Sequence, residues 1–272
     1  MVSPLLAKAQ ATGREIVNVT PQRAGWIHVG FRAIRLTEGE TEALDTGTRE
    51  LCIVVLSGKV DVTVAGVRYA NLGTRSSVFD EVSPAAVYVP AGHTVSITSL
   101  AGGAEIGLCS APAGAKPQAR AVKVLDPASM RRSVRGKGSN TRYICDILPH
   151  DDPTAAHLLV VEVLTPAGHS SSYPPHKHDL EQPPVETQLE ETYYHRLNPP
   201  QGFAFQRVYT DDRSLDEACA VENHDVVMVP RGYHPVVAPH GYDLYYLNVM
   251  AGPNRFWVFK NDPAHEWMLA PQ

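Results

Sequence analysis

The sequence predicts an all-β chain built as two β domains in tandem, each a sandwich or barrel. Three observations predict it. Short runs rich in β-branched and aromatic residues recur throughout, and several alternate polar with apolar, as in Lys59-Val60-Asp61-Val62-Thr63-Val64; period two marks a half-buried strand. The 22 prolines and 20 glycines are spread along the 272 residues, which suits short strands joined by turns. One turn motif occurs twice, as Pro90-Ala91-Gly92-His93 in VYVPAGHTVSI and as Pro230-Arg231-Gly232-Tyr233-His234 in VVMVPRGYHPVV. A repeated strand–turn–strand grammar argues for two copies of one domain.

In chain order, strands are predicted over 25–36, 50–69, 85–100, 104–111, 157–166, 191–197, 202–210, 224–233 and 243–252, each an apolar or alternating run bounded by turn residues. Helix signals are short. PASMRRSV (127–134) is one, and SLDEACAV (214–221) is another, with Ser214 as N-cap and Glu217 completing a capping box. APAGAKPQARA (111–121) reads as a linker. It divides the chain into an N-terminal domain over 1–115 and a C-terminal domain over 116–272.

Composition narrows the function classes. The formal net charge is −5 and no long basic run exists, which argues against nucleic acid. The opening MVSPLLAKAQATGRE has no apolar core of the signal-peptide kind, and no apolar stretch reaches membrane-spanning length. Cys52, Cys109, Cys145 and Cys219 are scattered, without CxxC spacing, and read as reduced buried thiols of a cytoplasmic protein.

The stretch Tyr173-Pro174-Pro175-His176-Lys177-His178-Asp179 carries the chemistry. On a strand, His176 and His178 project to one face and Lys177 to the other, as scaffold. His234 follows the second Pro-x-Gly turn, and EETYYHR offers a carboxylate from Glu190 or Glu191, with Glu186 a third choice. Three imidazoles and a carboxylate suit a divalent first-row metal: zinc foremost, then manganese or iron, with nickel also compatible. The first half has no such set. His93 and His28 read as isolated turn or core histidines, and the first domain as structural or dimer-forming. In GFAFQRVYT, Phe205, Arg207 and Tyr209 share a face by period two. If that face points inward, Arg207 and Tyr209, with Tyr246, present polar tips to the interior, where an arginine can pair with an anion and a tyrosine can relay a proton. Trp257 and Trp267 read as core or interface anchors, and His265 as a possible pocket closer.

The order HxH, Glu, Gly, then Pro-x-Gly and His resembles the cupin family. One departure is the insertion DLEQPPVETQLE, twelve residues between His178 and Glu191. More specifically, SSYPPHKHD (171–179), EETYYHR (190–196), FQRVYTDD (205–212), VVMVPRGYHPVVAPHGYDLYYLNVMAG (226–252) and NDPAHEW (261–267) resemble the 5-deoxy-glucuronate isomerase family, bicupin enzymes of myo-inositol breakdown. RGKGSNTRYI (135–144) matches in outline. The resemblance implies two jelly-roll cupin domains, metal held in the second by His176, His178, Glu191 and His234, and likeness of Glu-Thr-Tyr-Tyr to the family favours Glu191 over its neighbours. It implies an aldose–ketose isomerisation of a sugar acid through a metal-stabilised enediolate, in a homo-oligomer. Rivals are isomerisation of another deoxy-uronate, such as a pectin-breakdown product, a cupin dioxygenase, or a sugar-binding cupin without catalysis.

Overall fold

The computed structural model describes residues 3–114 and 120–269. The linker expected over 111–121 therefore lies partly outside the described residues. The chain is all-β, as its alternation requires. The first half forms an eight-stranded antiparallel sheet, ordered Glu15–Val19, Gly30–Leu36, Thr94–Pro112, Arg49–Val64, Ala85–Val89, Lys123–Leu125, with Thr41–Asp45 and Val67–Leu72 on its long strands. Those long strands, Arg49–Val64 and Thr94–Pro112, pair along most of their length. The register shifts between Val55 and Ser57 and between Gly58 and Val60, and bulges of this kind bend and twist a strand pair.

The second half forms a seven-stranded antiparallel sheet, ordered Leu6–Ala7, Val226–Val229, Glu190–Asn198, Asp243–Ala251, Leu159–Thr165, Arg142–Leu148, Arg131–Arg135. A four-stranded sheet of Ser170–Ser171, Val236–Val237, Phe203–Tyr209 and Asp216–Glu222 faces it. A two-stranded ribbon, His176–Lys177 with Lys260–Asn261, closes one end. Each half lends a strand to the other's sheet: Leu6–Ala7 pairs with Val226–Val227, and Lys123–Leu125 with Ala86–Tyr88.

Both short helices expected from sequence are absent. Over 127–134 there is one 3-10 turn, Pro127–Ser129, followed by the strand Arg131–Arg135. Over 214–221 there is the strand Asp216–Glu222, paired with Phe203–Tyr209. Here Cys219 and Val221 are buried two apart, between exposed neighbours. Burial at period two outweighs a capping box. The Ser214 N–H and hydroxyl instead meet Asp212 Oδ1 at 3.1 and 2.8 Å in a turn.

Three apolar cores result. The first barrel is filled by aliphatics, among them Ile34, Leu51, Ile53, Val60, Val62, Val87, Ile97 and Ile106. Another core joins the halves: Phe31, Cys52, Leu56 and Tyr88 of the first pack with Leu158, Tyr194, Met228, Tyr245 and Leu247 of the second. All four cysteines are buried and unpaired. Among the described residues no helix is long and apolar enough to cross a membrane.

The interface between the halves also contains a reciprocal polar exchange. Glu50 of the first half accepts hydrogen bonds from the N–H groups of Ala156, His157 and Leu158, each at 2.7 Å, and from Tyr88 Oη at 2.8 Å. Glu190 of the second accepts from the N–H groups of Ile27, His28 and Val29 at 2.8, 2.7 and 2.9 Å. Two ion pairs repeat the exchange. Arg75 meets Glu162 at 2.9 and 2.8 Å, and Arg196 meets Glu105 at 2.6 and 2.7 Å; Tyr245 and Tyr194 respectively donate to the same carboxylates.

Candidate metal centre

The second barrel differs from the first in what fills it. The Glu190–Asn198 strand alternates, so consecutive carboxylates point in opposite directions. Glu190 faces the first half, as above, while Glu191 faces the barrel interior. Glu186 is occupied elsewhere, accepting from the N–H groups of Asp179 and Leu180. The carboxylate left open by the sequence is thus Glu191 by position.

The ligand atoms of His178, Glu191 and His234 lie within 4.8 Å of one another, and all three residues are buried. His178 Nε2 is 3.0 Å from Glu191 Oε2, and His234 Nε2 is 3.2 Å from it. The other ring nitrogens fix the tautomers. His178 Nδ1 lies 2.9 Å from the Leu189 carbonyl and His234 Nδ1 2.8 Å from the Gly232 carbonyl. A carbonyl only accepts, so each Nδ1 carries the proton and each Nε2 turns a lone pair inward. Two lone pairs and a carboxylate converging on one point fit a cation, and His234 Nε2 is a buried atom with no hydrogen bond.

The turn that delivers His234 depends on Gly232. Its φ is +91°, and a Cβ there would come within 2.6 Å of the Tyr209 carbonyl oxygen. Its N–H donates to Asp179 Oδ1 at 2.7 Å, which ties the turn to the HxH segment.

His176 stands beside the triad rather than within it. Its ring centroid is 4.9 Å from that of His234 and 6.4 Å from that of His178, and its ring leans on Phe259 at 4.5 Å. Burial, then its two histidine neighbours, holds its imidazole well below the usual range, so it is neutral. A neutral imidazole at the rim remains available as a fourth ligand. Lys177 points away, to Asp211 Oδ2 at 2.5 Å.

The expected catalytic side chains separate. Tyr246 faces the interior, with Oη 2.5 Å from Ser171 Oγ and its ring 4.9 Å from that of Tyr193. Arg207 does not: it is exposed and forms a two-pronged pair with Asp216 at 2.7 Å on the outer face of its sheet. The shared face of Phe205, Arg207 and Tyr209 points outward, because Ala204, Gln206 and Val208 fill the inward positions. Tyr209 is buried, but its hydroxyl donates to Asp262 at 2.8 Å and its ring lies beneath Arg207 and Arg213, apart from the triad. Alternation supplied the period and left the phase open, so the inward assignment of Arg207 and Tyr209 is corrected.

The sequence reading missed several cavity residues. A narrow cavity of about 40 Å³ reaches His176 and Glu191 and is walled by Arg142, Ser171, Ser172, Tyr193, Tyr246 and Asn248. Tyr193 follows Glu191 by two, so period two from the carboxylate could have found it. His93 lies in its turn, with Nδ1 3.0 Å from the Ala91 carbonyl. Trp257 packs on the second core, Trp267 is exposed, and His265 lies 3.9 Å from Asp262.

Comparison with known proteins follows this geometry. The KduI/IolB family model matches residues 5–268. A 5-deoxy-glucuronate isomerase of Halalkalibacterium halodurans is 52% identical over 93% of this chain and 92% of the relative. The crystal structure of an IolB-like protein from Salmonella typhimurium LT2 superposes with a TM-score of 0.94 at 45% identity, covering 98% of this chain and 99% of that one. An oxalate decarboxylase of Lactobacillus farciminis superposes with a TM-score of 0.63 at 15% identity, over 96% and 89%, and shares the bicupin fold.

Proposed function

This chain belongs to the KduI/IolB family, and from that premise we propose that it is an aldose–ketose isomerase converting 5-deoxy-D-glucuronate to 2-deoxy-5-keto-D-gluconate in myo-inositol catabolism. The observation that carries the reading is identity of 52% to a relative of that name across nearly the whole chain. The buried triad supports it. His178, Glu191 and His234, with His176 beside them, would hold a divalent ion. Zinc, manganese and iron all suit that donor set. The bound ion would supply Lewis-acid stabilisation of the charge that develops on the sugar's oxygens.

The remaining work falls to the chain's own groups. The reaction moves one proton from C2 to C1 and shifts another between the two oxygens, with no net redox change. Burial keeps the Tyr246 phenol above its usual range, so it is protonated near neutral pH and can donate. Ser171 Oγ, at 2.5 Å, can relay: its hydroxyl gives its proton to the Tyr246 oxygen as that phenol donates, and gains another in the same exchange. Tyr193, bonded to Ser172 Oγ at 3.2 Å, gives a second hydroxyl pair on the same wall. The aliphatic filling of the first barrel supports a division of roles between the units 1–115 and 116–272, with chemistry in the second. The same reading includes a homo-oligomer in the cytoplasm.

The test is turnover of 5-deoxy-glucuronate by the purified, metal-analysed protein, followed by appearance of the ketose and checked from the product side. Approach to one equilibrium from both directions, without oxygen uptake, is expected. Oxygen consumption would move the assignment to a dioxygenase. Saturable binding without turnover would make the protein a sugar-binding cupin. Faster turnover of an unsaturated pectin-derived uronate would reassign the substrate.

A further inference from the structure

The correction of Arg207 leaves the substrate's carboxylate without a counter-ion, and the cavity contains a better one. The segment RGKGSNTR (135–142) brings two arginines to the cavity wall. Its path is tightly constrained. Gly136 has φ +81°, and a Cβ there would come within 1.9 Å of the Asn140 carbonyl oxygen. A 3-10 turn over Gly138–Asn140 then folds the chain back. Asn140 grips Arg142 Nη1 through both its carbonyl and its side-chain oxygen, at 3.1 Å each. The Asn140 amide is itself anchored to the Tyr173 carbonyl at 3.2 Å, immediately before the HxH segment. Arg135 stacks over the Trp257 ring at 5.7 Å.

Two features suggest a ligand. Among the described residues neither Arg135 nor Arg142 forms an ion pair, whereas Arg75 and Arg196, at the interface between the halves, each have a carboxylate. Arg135 is exposed, but Arg142 is half-buried, and a guanidinium drawn out of water without an anion is costly. The cavity also presents orphaned donors: Trp257 Nε1 and Asn248 Nδ2 are buried without a hydrogen-bond partner. Unpaired donors around an unpaired cation describe a seat for an oxygen-rich anion.

We propose that Arg142, backed by Arg135, binds the carboxylate of the sugar-acid substrate and so orients its aldehyde end toward His176 and Glu191, which line the same cavity. The proposal rests on the isomerase reading for the identity of the acid. Its chemistry requires only a polyhydroxy carboxylate. Among the described residues no hydrogen bond reaches Arg142 Nε or Nη2, and that edge matches a carboxylate in a two-pronged contact. The cavity of about 40 Å³ accommodates one or two waters. Seating a six-carbon acid therefore moves the Trp257 indole aside, on the side where Arg135 already reaches solvent.

The experiment compares wild type, Arg142→Met and Arg142→Lys on 5-deoxy-glucuronate and on its neutral counterpart, with a hydroxymethyl group in place of the carboxylate. Metal content is measured on each. The expected result is a loss of about 10–100-fold in kcat/KM on the acid for Arg142→Met, the scale of a hydrogen-bonded charge, mostly in KM. No change on the neutral sugar, unchanged metal and partial recovery in Arg142→Lys complete the expectation. Equal losses on both sugars, or no loss on the acid, would overturn it. If wild type turns over neither sugar, the isomerase reading fails, and binding of D-gluconate against sorbitol by calorimetry decides the carboxylate seat alone. Gluconate binding at least tenfold weaker in Arg142→Met, with sorbitol unchanged, supports it. Wild type that does not prefer gluconate refutes it.

Discussion

Glu50→Ala tests whether the two halves are held together by carboxylates passed between them. Glu50 is fully buried. Its removal strands three backbone N–H groups at 156–158 and the Tyr88 hydroxyl, all of which donate to it. An unsatisfied buried donor costs about 1–3 kcal/mol. Relief of the carboxylate's own desolvation offsets part of the sum, and water entering the vacated space offsets more. The expected net loss is about 3–5 kcal/mol, on the scale of breaking a buried charged contact. At about 2–4 °C per kcal/mol for a chain of this size, that is a fall in Tm of roughly 6–20 °C. Differential scanning calorimetry on metal-loaded protein reads it, with Glu81→Gln, a surface control whose carboxylate has no hydrogen bond or ion pair among the described residues, shifting by less than about 2 °C. A Glu50→Ala midpoint within that same margin would refute the reasoning, because the four donors would then have found other partners at no cost.

Other predictions concern the site. His234→Ala loses bound metal and turnover together, whereas His93→Ala keeps both, read by elemental mass spectrometry and ketose formation; metal loss in the His93 variant would put the site in the wrong half. Arg207→Met leaves kcat/KM within about twofold and stability within about 1 kcal/mol, the range of an exposed ion pair; a large loss in kcat/KM would return Arg207 to the chemistry. His195 is fully buried, and burial, partly countered by Gln206, holds its imidazole down at about 4. Its folded value lies below the unfolded one of about 6.5, so the stability it contributes is present above pH 6.5 and is lost as pH falls toward 4, by about 3 kcal/mol in all. Urea melts at pH 7 and pH 4.5 should show this slope flattened in His195→Gln, and an unchanged slope would contradict it.

Much of this was legible in the sequence, and the residues show why. Val60, Val62 and Val64 announce a strand by period, and the structure buries all three. His178, Glu191 and His234 were nominated because few residue types bind metals and their order along the chain is distinctive, with family likeness choosing Glu191, and the structure brings the three together. The failures have separate causes. Period two says which residues share a face but not which face is inside, so Arg207 was turned inward. Arg142 was overlooked for the complementary reason. It opens its strand after a glycine-rich loop, and its lack of a counter-ion exists only in three dimensions. The capping box at Ser214 and Glu217 was a correct local signal overridden by non-local burial of Cys219 and Val221.

The two barrels differ in what they do with their interiors. Aliphatic packing fills the first, and the proposed function leaves the chemistry to the second. The second gives up interior volume to imidazoles, a carboxylate, an unpaired arginine and orphaned donors, each of which lowers its stability. Because the shared core and the exchanged carboxylates join them, stability can be lent from one to the other. The first barrel therefore acts as a buffer for mutation: substitutions that improve its packing would raise tolerance to changes in the second, and new substrate preferences would be reached most readily from variants already stabilised there. If the chemistry lies in the second barrel as proposed, the first is the reserve against which it can change.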